Sequence, residues 1–414
     1  MATGCGINAR LRAFRSLLVL SALALRSGQA AETAVPVGVA PNLPREVELR
    51  RETVPYEVEG VYWLLDRTNT PFLKEPGLSK VRVFRSVLQF GKDTNNAFAL
   101  IWDKPKGKLY LDLNQNRDLT DDPAGVFSPT NTASKAFTCF ENVTLPMRGA
   151  TSRFPALVDL YMMLEETNRL RVWLDLHSLW QAKVGPPGEE WQMAAVDDLF
   201  NPAGPAAAQF LLLRPWAARA DEVLRTNAAS GQDLGSGVIP FPDHLFWLGQ
   251  AFHLERHFVS EGESPVCKVG LAPEQPPLVD LKVSGKSLYY AVLRDTNGYT
   301  VVLREPRGTV KVPQGIYTVS AVWVKAGATT ARRFGGQPLV VNATVATSLV
   351  LGGPLTNSVV LNRNGRRLDI DYRLGGADGG AYYLAGQDRN HFRPVQFAVY
   401  YGGKKLLSGR FAFG

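Results

Sequence analysis

The sequence predicts an all-β protein assembled from several small antiparallel sandwich or barrel-like modules, with few short helices. Three observations carry that expectation. Almost every apolar segment alternates with period two, as half-buried strands do. Gly, Pro, Asn or Asp bounds nearly every such segment, and long helical periodicity is scarce. At ~100–200 residues per domain, a chain of 414 residues has room for two to four modules. A composition of 45% hydrophobic and 20% charged residues is that of a folded globular chain.

Taken from the N-terminus, Arg10, Arg12 and Arg15 precede the apolar run "SLLVLSALAL" (16–25), and small residues follow it. This is the layout of a secretory signal peptide over 1–30, so the chain is expected to be secreted or periplasmic. The run falls short of the about 20 residues a bilayer-spanning helix needs, and no later stretch of that length is free of charge, so no transmembrane segment is expected. Removing 1–30 takes away four arginines and no acid, and the formal charge falls from +8 to +4. The remaining Lys and Arg are scattered through strand-like segments, which excludes the basic footprint of a nucleic-acid binder.

Residues 31–55, with "VPVGVAPNLPREV", read as an extended leader. A β domain is expected over 56–184, from "YEVEGVYWLL" (56–65), "VRVFRSVLQF" (81–90) and "RLRVWLDL" (169–176). The "GPPGEE" break opens a second β-rich region, 185–272, in which "PWAARADEVLRT" (215–226) is the best helix candidate. Beyond "LAPEQPP" comes a module over 273–352, and a C-terminal unit fills 353–414. Asn297-Gly298 and Asn364-Gly365, each between alternating runs, predict two tight hairpins, because the favoured turn needs positive φ at both central residues.

In the 273–352 module, Pro313, Gly315, Tyr317 and Thr318 form a Pro-x-Gly-x-Tyr-Thr turn leading into a long strand. That pattern resembles the small sandwiches of the carboxypeptidase regulatory-like, or transthyretin-like, group. The resemblance implies a structural or adhesive module and carries no activity. The closing "SGRFAFG" resembles the ends of uncharacterised exported bacterial proteins.

The densest chemical signal is "LDLNQNRDLTDD" (111–122). Asp112, Asn114, Asn116 and Asp118 stand at alternate positions, followed by Asp121 and Asp122. With Asp112 as position 1 they fall at 1, 3, 5 and 7 of a twelve-residue calcium loop, with Leu119 at the hydrophobic eighth place. The stretch is similar to an EF-hand or dockerin-type loop, which implies calcium as the cofactor. Arg117 replaces the Gly of position 6 and Pro123 the bidentate acid of position 12, leaving Asp121 or Asp122 to reach the ion. The competing expectation is a polar turn in which Asp and Asn cap their own backbone.

Other candidates are sparser. "HLERH" sets His253, Glu255 and His257 on one side of a strand, which suggests a zinc set, or else the solvated face of an amphipathic strand. Asp175 and His177 could pair for base catalysis, but no nucleophile elbow accompanies them. Cys139 and Cys267 have no CxxC partner and are either disulfide-bonded or separately buried. Most of the eight tryptophans are expected in the core, and one or two exposed rings would make a glycan platform. These features together predict an exported, non-catalytic binding or scaffolding protein of the bacterial envelope. It would carry a structural calcium site, with polysaccharide or other envelope components as partners. The alternative is an exported hydrolase using scattered acids or the His253/Glu255/His257 set.

Overall fold

The structure, a computed structural model, describes residues 43–66, 72–91, 94–130, 137–148, 153–166, 169–199, 206–216, 238–261, 264–295, 298–327, 329–365, 367–384, 396–401 and 403–410. The signal-peptide segment, most of the helix candidate at 215–226, and Asn297 lie outside these residues. The described part is all-β. Its helical elements are two single 3-10 turns, Thr94–Asn96 and Pro123–Gly125.

The first strand, β1 (Glu46–Asp66), begins inside the expected leader. Val47 and Leu49 alternate with charged neighbours and are buried, so the segment joins the core instead of trailing over it. A four-stranded antiparallel meander follows: β2 (Val83–Gln89), β3 (Ala97–Asp103), β4 (Lys108–Leu111) and the short β5 (Val126–Phe127).

Nine further strands build the rest of the N-terminal half. They are β6 (Thr138–Arg148), β7 (Arg153–Glu166), β8 (Arg169–Val184), β9 (Trp191–Asp198) and β10 (Ala206–Pro215), then β11 (Val238–Pro240), β12 (His244–Trp247), β13 (Gln250–Glu261) and β14 (Ser264–Glu274). β6 to β10 run as an antiparallel meander. β1 lies along β8 over most of its length and reaches β14 with its first residues. The meander of β2 to β4 closes over this sheet, with Phe84, Leu88, Phe98, Leu100 and Leu111 entering one large apolar cluster with Phe140, Leu145, Leu174 and Trp180.

The C-terminal half contributes β15 (Leu278–Ser284), β16 (Leu288–Arg294), β17 (Tyr299–Arg304), β18 (Gly308–Pro313), β19 (Gly315–Ala326), β20 (Thr329–Phe334), β21 (Pro338–Val341) and β22 (Thr347–Val350). A three-stranded sheet, β18-β15-β22, packs on β16, β17 and β19 around a second core that includes Leu281, Val312, Leu293 and Val322. The turn at 313–318 is held by Tyr317 from within and by Asp295, which accepts the Ile316 amide at 3.1 Å, from outside. The Tyr317 hydroxyl donates to the Pro313 carbonyl at 2.8 Å, and a Cβ at Gly315 would meet the Asp295 carboxylate at 2.6 Å.

β23 (Thr356–Asn364) and β24 (Arg367–Gly375) form a hairpin whose turn begins one residue later than the sequence suggested: Asn364 pairs with Arg367 as the last residue of β23 and does not take a positive φ, whereas Gly365 does, at +59°. β25 (Ala381–Leu384) returns to β20, and β26 (Gln396–Tyr401) pairs with β27 (Lys404–Arg410). The hairpin expected at 297–298 is present as the antiparallel β16–β17 pair.

One junction positions the chemistry described below. β12 pairs antiparallel with β13 and parallel with β17, so the sheets of the two halves are continuous across it. Both faces of this junction are used. Leu245, Trp247, Phe252 and Leu254 enter the N-terminal core, and Phe246 and Ala251 enter the C-terminal one.

Candidate functional site

The 111–122 loop leaves the end of β4 and is organised by its own acidic and amide side chains. Asp112 is buried, and its two carboxylate oxygens accept the backbone N–H groups of Asn116 (3.1 Å) and Arg117 (2.9 Å). The Asn114 side-chain oxygen also accepts from the Asn116 amide, at 3.0 Å, and that of Asn116 accepts from the Asp118 amide, at 2.7 Å. Asp118 takes the amide and hydroxyl of Thr120. These bonds require a tightly wound backbone, and Gln115 (φ +64°) and Arg117 (φ +67°) take the left-handed conformation to supply it.

The two acids after the repeat hold the loop from behind. Asp121 accepts the side-chain amides of Asn114 and Asn116 at 3.1 and 2.7 Å, and Asp122 accepts the amides of Leu113 and Asn114 at 3.0 and 3.4 Å. Burial lifts the Asp122 carboxyl above its ordinary value; the amides of Asn114 and Leu113 oppose the shift, and the charges of Asp112 and Asp121 add to it. Leu119 is buried beneath the loop against Val83 and Ile101. Gly125 ends it, because a Cβ there would lie 2.1 Å from the Leu111 carbonyl oxygen. The six residues singled out in the sequence therefore share one compact polar loop. Side-chain oxygens that accept nearby backbone N–H groups are the bonding expected of a polar turn capping its own backbone. An oxygen that accepts one N–H keeps a second lone pair, and Asp118 keeps its other oxygen, so donors for a hard cation remain.

The alternative His253/Glu255/His257 set does not assemble as a three-residue site, although His253 Nε2 lies 3.7 Å from Glu255 Oε1. All three lie on β13, where residues i and i+4 are about 13 Å apart at ~3.3 Å per residue, too far to share one ion. His257 instead faces Glu46 at 3.7 Å, and the Glu255 side chain is 71% exposed. The Asp175–His177 pairing is also rearranged. Asp175 accepts the Trp173 indole N–H at 2.6 Å, while His177 lies 3.0 Å from Asp159 on the neighbouring strand. Both aspartates are buried.

Cys139 and Cys267 are free and buried, on β6 and β14, and burial pushes each thiol up to about 12. Five tryptophans, 102, 180, 191, 247 and 323, are fully buried, while Trp173 and Trp216 are half-buried.

A cluster that the sequence did not reveal lies at the β12 junction. His244 stands opposite His253 on β13 and opposite Tyr299 on β17, while Glu274 on β14 is registered with Ala251. One ligand atom from each of His244, His253 and Glu274 lies within 4.8 Å of the other two. His244 Nδ1 is 3.0 Å from Glu274 Oε2, and the Tyr299 hydroxyl donates to the same oxygen. Burial by itself would raise the Glu274 carboxyl; the Tyr299 and His244 hydrogen bonds, with the charges of His244 and His253, outweigh it and hold the group below its ordinary value.

No family model, no curated protein and no solved structure matches this chain. Among the described residues, no helix is long and apolar enough to cross a membrane.

Proposed function

We propose that the chain is an exported, non-catalytic binding or scaffolding protein of the bacterial envelope, in which a calcium ion staples the 112–122 loop and the ligand is a polysaccharide. The observation that carries the reading is the alternate series Asp112, Asn114, Asn116 and Asp118 gathered in one wound loop, with the Asp112 carboxylate fixed by the amides of Asn116 and Arg117. A divalent cation bound in that loop would also relieve the mutual repulsion of Asp112, Asp121 and Asp122. For the polysaccharide, the half-buried rings of Trp173 and Trp216 retain surface on which a sugar could stack, unlike the five fully buried indoles.

Calorimetry and thermal melting of the full chain test the calcium. With few charged ligands, uptake is expected at a Kd of ~10⁻⁴–10⁻³ M. At about tenfold excess over Kd, calcium should add roughly 1.4 kcal/mol to stability. Asp118→Asn, which keeps an oxygen for the Thr120 amide and hydroxyl, should weaken the effect while preserving those bonds. No heat and no rise in melting temperature in millimolar calcium would refute the staple. A glycan array, with Trp173→Ala and Trp216→Ala as controls, tests the ligand class separately.

A further inference from the structure

We infer that His244, His253 and Glu274 form a second metal site, distinct from the calcium-type loop, that takes a divalent transition metal of the zinc class. Two imidazole nitrogens and one carboxylate oxygen are the donor set of a three-protein-ligand zinc centre, and the loop at 112–122 offers only oxygens, which favour calcium. The inference therefore stands whether or not that loop binds calcium.

The strands supply the convergence. Directly opposed residues on neighbouring antiparallel strands have Cβ atoms about 4.5–5.5 Å apart, which brings the imidazoles of His244 and His253 to one point. Their ring centroids are 5.2 Å apart. Glu274 comes from the third strand, beside Ala251, whose methyl group leaves the space between the two outer strands open. In a tetrahedral zinc site with bonds of about 2.0–2.1 Å, ligand atoms sit roughly 3.3 Å from one another, so the 3.0 Å between His244 Nδ1 and Glu274 Oε2 is close to the distance needed.

Tyr299 completes the arrangement from the far side. Its hydroxyl donates to Glu274 and holds the carboxylate in place, the supporting contact that metal-binding carboxylates commonly have. The side chains of His244, His253 and Glu274 are 38, 39 and 26% exposed, so an ion has a path in and keeps coordination positions that face solvent. The other cluster of possible ligands, Cys139, Glu141 and Asp159, is a poorer host: its thiol is buried and held protonated, and Asp159 already faces His177.

The test is zinc binding by the full chain in excess calcium, which would compete for the oxygen-only loop, read by calorimetry and by metal content after gel filtration. One zinc per chain is expected, with a rise in melting temperature. His244→Ala, His253→Ala and Glu274→Gln should each weaken binding at least about 100-fold and abolish the thermal shift, with circular dichroism unchanged. Tyr299→Phe should weaken it about 10-fold, the scale of a lost supporting hydrogen bond. His257→Ala, four residues and about 13 Å further along β13 than His253, should leave binding as it was. Cobalt in place of zinc should give the intense visible bands of a low-coordinate site with nitrogen ligands, lost in the His244 and His253 variants. Failure of the wild-type chain to retain zinc would overturn the inference, as would zinc retained equally by all three ligand variants.

Discussion

Arg117 shows how far side-chain hydrogen bonding can bend a backbone against its own preference. Its φ of +67° places Cβ where only glycine is comfortable, and an L-residue there is strained by roughly 1–2 kcal/mol. The strain persists because the Arg117 N–H must point at Asp112, and the neighbouring amide at Asn116 must do the same. Glycine in place of Arg117 would restore the residue that calcium loops use at this position. Part of the gain would be lost to the greater freedom of the unfolded chain, about 0.4–1 kcal/mol. Arg117→Gly is therefore expected to stabilise the protein by up to about 1 kcal/mol in urea denaturation and to tighten calcium binding. Destabilisation by the same substitution would mean that the arginine side chain does more than its backbone position suggests. The alternate Asp and Asn were legible in the sequence, and so was the loop. What the spacing could not show is that Asp121 and Asp122 hold the loop's amides from behind, because that depends on how the chain closes at Gly125.

Among elements, the period-two pattern translated directly into strands. "YTVVLRE" became β17, "IYTVSAVWV" lies within β19 and "RLRVWLDL" within β8, with Val172, Leu174 and Leu176 buried as their alternation requires. Partner choice was not legible, and the site at His244 is the consequence. Its residues come from four strands, and Tyr299 reaches it through a parallel pairing that no local turn signals. The buried ion pair that joins the N-terminal strands was hidden for the same reason. Asp197 on β9 accepts Arg51 of β1 at 2.7 Å, the Trp180 indole of β8 at 2.8 Å and the Ala208 amide of β10 at 2.8 Å. Ala208 reaches it because an irregularity in the β9–β10 register between Ala206 and Phe210 turns its N–H inward, with a φ of +49°. The Arg51 guanidinium also lies 4.9 Å from the Trp180 ring. Asp197→Ala would take the carboxylate from a largely buried guanidinium and leave two donors unsatisfied. A loss of about 3–5 kcal/mol is expected in equilibrium unfolding. A loss below about 1 kcal/mol would show that solvent reaches the pair.

For the molecule as a whole, the decisive feature is that β16, β17 and β19 are covered on both faces. One face, with Leu293, Val301, Val322 and Val324, packs into the C-terminal core. The other, with Tyr290, Val292, Val302, Ala321 and Trp323, packs into the N-terminal core. Tyr290 and Trp323 stack at 4.1 Å with their planes 13° apart, and Trp191 of β9 meets Tyr290 and Trp247 edge-on at 6.3 and 5.8 Å. A sandwich cut out at 273–352 would expose that aromatic row and strip β17 of its partner β12, leaving an apolar face and a bare edge. The excised segment is therefore expected to aggregate, and the intact chain to unfold its two cores together. Trp323→Ala tests the coupling in the full chain. It should cost about 3–5 kcal/mol, as large aromatic deletions in cores do, and lower one shared transition seen alike by far-UV dichroism and tryptophan fluorescence. Two separated transitions, or a folded and monomeric 273–352 fragment, would show that the halves are independent and that the junction carrying His244 is a surface contact between them.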